Sequence, residues 1–195
     1  DNITTGDSNI IIGHGIDAAS ATADGQLNIG GMIFGTGGAS ASKIGIGTSS
    51  PSQTLHIEGT TVSSGDARSN VIIADDTSFA TGVGGGIVFR AKYNTAGTIT
   101  NMGSIQGIKE NGTDGNYAGA LTFTTRANGA SNTEAMRIDS SGNLLVGKTS
   151  GSIGATGTAI YGGSNEGLIE STRDGANVMK LNLLSSDGDI AVFAK

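Results

Sequence analysis

Short runs of aliphatic residues, each closed within a few positions by glycine or alanine, recur along the chain and constrain its fold most strongly. Four of these runs share one form, in which a polar residue comes first: Asn9–Gly13, Lys43–Gly47, Asn70–Ala74 and Asn143–Gly147. Glycine is unfavourable inside a helix, and no apolar stripe with helical spacing accompanies the runs. Their irregular spacing argues against a strict solenoid repeat. The pattern predicts an all-β chain of short strands joined by turns.

A second kind of unit alternates strictly between aliphatic and polar residues. It occurs at Leu55–Gly59, Met136–Ser140 and Met179–Leu183. Alternation with a period of two places the aliphatic side chains on one face of a strand and the polar ones on the other. These segments are therefore predicted to be two-faced strands.

The longest predicted strands lie in the middle of the chain, where most of the aromatic residues are found. They are expected at Gly86–Tyr93, Ile99–Lys109 and Ala118–Arg126, after the shorter run at Asn70–Ala74. Turns containing Asn-Gly or Asp-Gly separate several of them, because both residue pairs tolerate positive φ. The sequence contains no convincing helix, and a single helical turn is expected at Asn132–Met136.

Changes in composition divide the chain into four predicted regions. These are a Gly-rich β shaft or attachment region at 1–52, a strand and connector at 53–68, a central compact β module at 69–138 and an intertwined β region at 139–195. Residues 151–165 are rich in Gly, Ser and Thr, and later strands are predicted near Gly167–Ser171, Val178–Leu184 and Ile190–Ala194. The end at Lys195, inside or just after a strand, is expected to be a processed or truncated terminus.

Glycine supplies 34 of the 195 residues, whereas aromatic residues supply only 4%. Glycine without a three-residue period excludes collagen, and aliphatic residues grouped at strand spacing argue against disorder. A core of Ile, Leu, Val and Ala buries little area per strand, while ordering glycine costs more backbone entropy than usual. A single copy is therefore expected to be marginally stable. Association of identical chains would supply the missing burial, so an obligate oligomer is predicted.

Residues 142–149 match the phosphate-binding pattern G-x-x-x-x-G-K-[ST] letter for letter. That pattern binds nucleotide only where a strand leads into it and a helix follows it. Here the middle residues, Asn143–Val146, have the character of a strand. The Gly- and Ser-rich segment after Thr149 cannot open a stable helix. The sequence therefore predicts a short strand between two turns and no nucleotide site.

Residues suited to catalysis are scarce. His14 and His56 are isolated and are interpreted as solvated surface residues. Asp75 and Asp76 are adjacent, so they would point to opposite faces of a strand, and the aspartates that flank Gly188 lie in a turn. We therefore expect a chain that is not an enzyme and that holds no metal ion or other cofactor.

The charge and hydropathy of the chain limit its partners. A sequence pI of 4.7 without a Lys/Arg cluster argues against nucleic acid. No apolar run approaches the roughly 20 residues that a membrane span needs, so membrane insertion is not expected. The chain has no cysteine, which excludes disulfides and thiolate metal sites.

Two Tyr/Asn pairs beside turns of the central module are the candidate ligand-binding residues. They are Tyr93 with Asn94, and Asn116 with Tyr117. A tyrosine ring packs against the face of a pyranose while amides bond to its hydroxyls, so such pairs suit a saccharide. Ordinary packing of the two tyrosines in a core or turn is the competing interpretation.

Three segments of the chain resemble bacteriophage tail fibres: Gly25–Gly30, Ile44–Pro51 and Arg137–Gly147. Two central stretches, Gly84–Asn94 and Asn116–Leu121, are similar to modules of such fibres. Each motif is short and of low complexity. The resemblance therefore depends on their combined order, which spans most of the chain.

The resemblance implies an elongated homotrimeric fibre of interwoven short β-strands, of the β-helix type, attached to other tail or baseplate proteins of the virion. It also implies a structural protein, assembled in the host cytoplasm, that adsorbs the virus to a host-surface saccharide. The segment Ser186–Lys195 is similar to the sequence that often precedes a self-cleaving intramolecular chaperone in this family. The family has no universal binding residues, so the resemblance adds none to the two Tyr/Asn pairs.

Three alternatives stay open. An enzymatic tailspike that degrades host polysaccharide would need a carboxylate pair in a groove. A chain that is only a shaft or attachment segment would leave recognition to another protein. A non-viral trimeric adhesin usually contains long coiled-coil heptads, which this sequence lacks.

Overall fold

The computed structural model describes residues 6–37, 42–60, 70–152, 154–162 and 168–175. These residues form twelve strands in two sheets and no helix, which confirms the prediction of an all-β chain. The chain divides into two compact units, Asp1–Ile72 and Ile73–Lys195, and each unit contains one of the sheets.

The first unit contains a five-stranded mixed sheet of very short strands. They are β1 (Ile10–Ile12), β2 (Leu27–Ile29), β3 (Ile33–Thr36), β4 (Lys43–Ile46) and β5 (Leu55–Ile57). The strands neighbour one another in chain order. The outer pairs β1–β2 and β4–β5 are parallel, and the inner pairs are antiparallel. A parallel pair needs a connection that returns along the strand, which explains the long loops after β1 and β4.

Side-chain amides fasten the loop between β1 and β2. The buried Gln26 amide donates to the carbonyls of Ser20 and Ala23, both at 2.7 Å, and its oxygen accepts the Ser20 N–H at 2.7 Å. The buried Asn28 amide donates to the Asp17 carbonyl at 2.6 Å. These amides satisfy loop backbone groups that have no ladder partner, so the loop is ordered without a large apolar core.

The second unit contains a seven-stranded antiparallel sheet in which consecutive strands are neighbours. Its strands are β6 (Gly86–Lys92), β7 (Ile99–Lys109), β8 (Gly119–Arg126), β9 (Asn132–Ile138), β10 (Leu144–Val146), β11 (Gly157–Ile160) and β12 (Ile169–Thr172). The first four strands are seven to eleven residues long, and the last three have only three or four residues. The sheet therefore tapers from a broad half to a narrow half.

One face of this sheet, here called the apolar face, carries large hydrophobic side chains on every strand. The ladder aligns Ile87 with Ile105, Ile105 with Phe123 and Phe123 with Met136. The members of the apolar face are Ile87, Phe89, Ile105, Leu121, Phe123, Met136, Ile138, Leu144, Val146, Ile160 and Ile169. Eight of them are between 36% and 66% exposed. Within the described residues, this face is therefore largely open to solvent.

The other side of the sheet, here called the opposite face, holds the buried residues of the strands. These are Ser104, Ala120, Thr122, Leu145 and Ala159. Leu145 is the largest fully buried side chain, and the other four are small or polar. The buried core therefore supplies little apolar area, as the composition predicts.

The five-stranded sheet of the first unit has an apolar face of its own. Its registers align Ile12 with Ile29, Ile29 with Ile33 and Ile33 with Ile46. Aliphatic residues occupy this face on all five strands: Ile10, Ile12, Leu27, Ile29, Ile33, Ile44, Ile46, Leu55 and Ile57. Five of them are between 40% and 58% exposed. Each unit, taken by itself, thus presents an aliphatic surface to solvent.

Most of the predicted strands are confirmed. β7 has the predicted bounds, β6 and β8 each differ by one residue at one end, and β1, β4, β5 and β10 lie inside their predicted runs. β12 overlaps the strand predicted near Gly167–Ser171. The segments Met179–Leu183, Val178–Leu184 and Ile190–Ala194 lie outside the described residues.

The strand predicted at Asn70–Ala74 is wrong, because these residues are not part of a strand. The chain runs against Gly85 here: a Cβ added to Gly85 would lie 1.8 Å from the Ile73 carbonyl oxygen. The Asp75 carboxylate then accepts the Thr77 N–H at 3.0 Å, which turns the chain. This aliphatic run therefore does not pair with a neighbouring strand. It passes close to Gly85 and then enters a turn that Asp75 stabilises.

The helical turn predicted at Asn132–Met136 is also wrong, because these residues belong to β9. A single isolated turn has few hydrogen bonds to offset its ordering cost, whereas β9 has ladders with both β8 and β10. Sequence reasoning also missed β3 and β11, whose runs Ile33–Thr36 and Gly157–Ile160 contain glycine. The region boundaries predicted at 52, 68 and 138 stay predictions.

Candidate functional site

The two Tyr/Asn pairs lie at opposite ends of the seven-stranded sheet. Tyr93 and Asn94 begin the connection from β6 to β7, whereas Asn116 and Tyr117 end the connection from β7 to β8. β7 separates them with eleven residues. At about 3.4 Å per residue, the ten steps from its first to its last residue span about 34 Å. The structure therefore keeps each tyrosine beside its own asparagine but does not unite the four residues in one site.

The Asn94 side chain is used inside its own turn. Its oxygen accepts the Thr98 N–H at 2.9 Å, and its amide donates to Thr98 Oγ1 at 3.1 Å. The neighbouring Tyr93 side chain is 60% exposed. The Tyr93 ring is therefore open to a ligand, but the amide that the sequence prediction paired with it already has partners.

Tyr117 is the more accessible of the two tyrosines, at 97% exposed. It lines an open depression together with Asp114, Asn116 and Ser140. The Asn116 oxygen accepts the Ala118 N–H at 2.9 Å, which leaves the amide hydrogens of Asn116 as donors for a ligand. Of the two predicted pairs, Asn116 and Tyr117 thus keep both a ring face and an amide donor.

Hydrogen bonds fix the loops on both sides of this depression. Ser140 Oγ donates to the Glu110 carboxylate at 2.5 Å, and the Lys109 ammonium donates to the Asn116 carbonyl. The Asp139 carboxylate accepts two backbone N–H groups of the β9–β10 turn, at 2.9 and 3.0 Å. Hydrogen bonds of Glu110, Lys109 and Asp139 therefore hold the loops around the Tyr117 depression, whose own lining contains one carboxylate, that of Asp114.

A second depression, here called the amide groove, lies on the opposite face near the end of the sheet that carries Tyr93. Its lining residues are Val88, Asn101, Ser104, Gln106, Thr124, Arg126, Ser131 and Asn132. They supply three primary amides, three hydroxyls and a guanidinium, and none is a carboxylate. Sequence reasoning missed this groove. The signal available was the polar set Asn101, Ser104 and Gln106 within one predicted strand.

The nucleotide-like motif forms a short strand between two turns, as predicted. β10 occupies Leu144–Val146, and the flanking glycines Gly142 and Gly147 have φ values of 79° and 69°, which favour glycine. The Lys148 side chain is 1% exposed, and its ammonium donates to the Ser152 carbonyl at 3.2 Å and to Glu170 Oε1 at 3.4 Å. The lysine that would bind phosphate in a nucleotide site is thus buried in a structural ion pair.

Glu170 connects this lysine to the last described strands. Tyr161 Oη donates to Glu170 Oε2 at 2.7 Å, and Thr172 Oγ1 donates to Oε1 at 3.1 Å. The Tyr161 bond is the main cause that lowers the pKa of the Glu170 carboxyl, with smaller contributions from Thr172 and Lys148. The same bond raises the pKa of the Tyr161 phenol. These groups satisfy one another, which indicates a structural cluster rather than a reactive one.

The residues weighed for catalysis do not form a catalytic pair in the described chain. The Asp75 carboxylate accepts the N–H and the hydroxyl of Thr77, and the N–H bond is the main cause that lowers its pKa. His56 Nδ1 accepts the Ser52 N–H at 3.3 Å. Asp187 and Asp189 lie outside the described residues.

Among the described residues, no group of three or more His, Asp or Glu side chains is arranged to hold a metal ion. In the same residues, no helix has the length and apolar character that a membrane crossing requires.

No protein-family model, no curated protein and no solved structure matches this chain.

Proposed function

We propose that this chain is a structural protein of a bacteriophage tail fibre, in which three identical copies associate through the apolar faces of their sheets. The proposed role is adsorption of the virion to a saccharide of the bacterial surface, without catalysis. Its partners would be the other two copies, the tail or baseplate proteins and the host saccharide. The observation that carries this proposal is the open apolar face.

The size of the apolar face favours association. Seven strands at intervals of about 4.8 Å span about 29 Å, and the apolar members of the face extend over up to three residues of a strand, about 10 Å. The projected area is therefore roughly 300 Å². The largest apolar patch of a typical monomer covers about 300–600 Å² and often marks an interaction site. The first unit adds a second aliphatic face, so a single copy exposes two such surfaces.

The charge pattern favours further copies of the chain as the occupants of these faces. The chain has a net charge of −6, so copies that met through charged surfaces would repel one another. Apart from its eleven apolar members, the strand residues on the apolar face of the second unit are glycine, alanine, threonine, serine and Lys109, and none of them is acidic. Lys109, at the end of β7, turns its ammonium to the Asn116 carbonyl. Identical copies can therefore meet on this face without electrostatic cost.

Adsorption is proposed to occur at the Tyr117 depression. Its tyrosine ring, the free Asn116 amide hydrogens and the fixed surrounding loops are suited to a sugar ring with hydroxyl groups. A single open depression of this kind binds weakly. Several copies on one fibre, and several fibres on one virion, would bind together with a much higher effective affinity.

The test is binding of the purified chain to immobilised bacterial lipopolysaccharides and capsular polysaccharides. We expect wild-type protein to bind at least one of them and Tyr117→Ala to weaken that binding about tenfold, the loss of a ring stacked on a sugar. Tyr93→Ala is the matched control and should have a smaller effect, because its neighbouring amide is occupied. Shortening of a polysaccharide would instead support the tailspike alternative. An oligomer that binds none of them would support the shaft alternative.

A further inference from the structure

The amide groove differs from the Tyr117 depression in the sign of its charge. Arg126 is the one ionisable residue among those that line it. Arg90 is the ladder partner of Asn101 and lies beside the groove on β6, and Lys92 follows on the same face of that strand. Within the described part of the chain, neither Arg90 nor Arg126 forms an ion pair with a carboxylate. A cationic region therefore lies on a chain whose net charge is −6.

The charge of Glu134, an acidic residue on the same face, is already neutralised by an arginine of the sheet. Glu134 is the ladder partner of Thr124, and both of its carboxylate oxygens accept hydrogen bonds from the Arg137 guanidinium, at 2.6 and 2.7 Å. This bidentate pair is part of the sheet and does not compensate Arg126. The positive charge of the groove is therefore available to a ligand.

The Arg126 guanidinium is held in place before any ligand arrives. Its Nε donates to the Ala130 carbonyl at 2.6 Å, and its Nη1 donates to Thr100 Oγ1. These bonds fix the plane of the guanidinium and leave Nη2 with both of its hydrogens. A fixed guanidinium loses little side-chain entropy when it binds a carboxylate.

The neutral side chains of the groove offer hydrogen bonds of both kinds. Asn101 and Gln106 have no side-chain partner within the described residues, and each amide carries two donors and an acceptor oxygen. The hydroxyls of Ser104 and Thr124 bond to each other at 2.7 Å and form the floor. Free amides beside a fixed guanidinium match a sugar that carries both hydroxyls and a carboxylate.

We infer that the amide groove is a binding site for an acidic saccharide, one whose sugar units carry carboxylate groups. The guanidinium of Arg126 binds the carboxylate, and the amides of Asn101 and Gln106 bind the sugar hydroxyls. Packing of the apolar faces between copies would turn the opposite face, and this groove with it, toward solvent. The inference rests on the proposed function for its biological setting, and it adds a ligand class and a site distinct from the Tyr117 depression.

The test is binding of the full chain to oligogalacturonate, with a neutral dextran oligosaccharide of similar length as the reference, by isothermal titration calorimetry. We expect binding of oligogalacturonate alone, weakened by added sodium chloride because the contact is ionic. Arg126→Gln should weaken it about tenfold, the loss of one charged hydrogen bond. Gln106→Glu, which places a carboxylate in the groove, should weaken it at least as much. Arg173→Gln removes an equal charge from an exposed residue outside the groove and should leave binding unchanged.

Equal effects of Arg126→Gln and Arg173→Gln would overturn the inference, since binding would then depend on overall charge. Equal binding of oligogalacturonate and dextran, or binding of neither, would overturn it as well. Because Arg126 also holds the β8–β9 turn, each variant is first compared with wild type by circular dichroism, and Gln106→Glu tests the groove without that turn. Loss of the groove site with retained, Tyr117-dependent binding to bacterial polysaccharide would leave the proposed function intact.

Discussion

Leu145 is the residue whose side chain contributes most to the buried core of the second unit. It is fully buried on the opposite face, between Arg137 of β9 and Ala159 of β11. Neither of these two partners is a large aliphatic residue that could fill the volume of the leucine side chain. In a chain with so few buried apolar residues, one leucine is a large share of the core of the second unit.

Leu145→Ala is expected to lower the free energy of unfolding by about 2–5 kcal/mol, the usual cost of a leucine-sized cavity in a core. Val88→Ala is the control, because Val88 lies on the same sheet and is 48% exposed, so its loss should cost less than about 1 kcal/mol. Urea unfolding at one fixed protein concentration measures both, since oligomer stability depends on concentration. Equal costs for the two variants would contradict the assignment of Leu145 to the buried core of the second unit.

Glu170 makes the stability of the second unit depend on pH. Its folded-state pKa lies below the ordinary value of 4.5, chiefly because of the Tyr161 hydroxyl bond. A carboxyl with a lowered pKa contributes stability above its unfolded pKa and loses that contribution as pH falls through the folded pKa. Asp75 acts in the same direction, from an ordinary value of 3.8. We expect the midpoint of thermal unfolding to be constant from pH 7 to 5 and to fall between pH 5 and 3.

Glu170→Gln separates this carboxyl from the others. The variant should unfold at a lower temperature than wild type at pH 7, because the buried Lys148 ammonium loses its counter-charge. The difference between the two proteins should shrink as the pH approaches 3. A constant difference at every pH would show that the loss is steric and not linked to the ionisation of Glu170.

Elements bounded by clear turns were predictable from the sequence, and β7 is the best example. Turns that contain glycine lie on both sides of it, so both ends of Ile99–Lys109 were found. β9 was found only in its second half, through the predicted strand at Met136–Ser140, because its first residues, Asn132–Ala135, have little strand character and acquire their conformation from the neighbouring strands. Asn70–Ala74 has strong strand character, but the chain crosses Gly85 there, and only the three-dimensional fold contains that information.

The candidate sites were predictable only in part, for a related reason. Tyr117 and Asn116 were found because a tyrosine beside a turn is recognisable in the sequence. The amide groove was missed because its residues come from β6, β7, β8, β9 and the turn between β8 and β9. Period-two alternation tells which residues share a face of one strand. It does not give the register that brings strands together.

β6 allows the apolar face to be tested by itself. Ile87 and Val88 are adjacent, 50% and 48% exposed, and lie on opposite faces of that strand. Ile87→Asp would place a carboxylate in the proposed interface, so the concentration for half-dissociation of the oligomer should rise at least about tenfold. Val88→Asp should leave it nearly unchanged. Sedimentation velocity over a dilution series measures both, and equal effects would place the interface elsewhere.

At the scale of the whole molecule, both units share one property. Each sheet carries its aliphatic side chains on an open face, while its buried residues are few and often polar. A protein that completed its core within one copy would bury those aliphatic side chains first, since their burial is the main favourable contribution to folding. The arrangement is instead the one expected of a subunit whose core is completed by identical neighbours.

The mass of the purified chain in solution, measured by light scattering during size-exclusion chromatography, tests this claim most directly. One copy has a mass of 19.3 kDa. Association through the apolar faces predicts a single species of three times that mass, which persists at micromolar concentration and is lost in Ile87→Asp. A folded species of 19.3 kDa that stays monomeric at the same concentration would contradict the account.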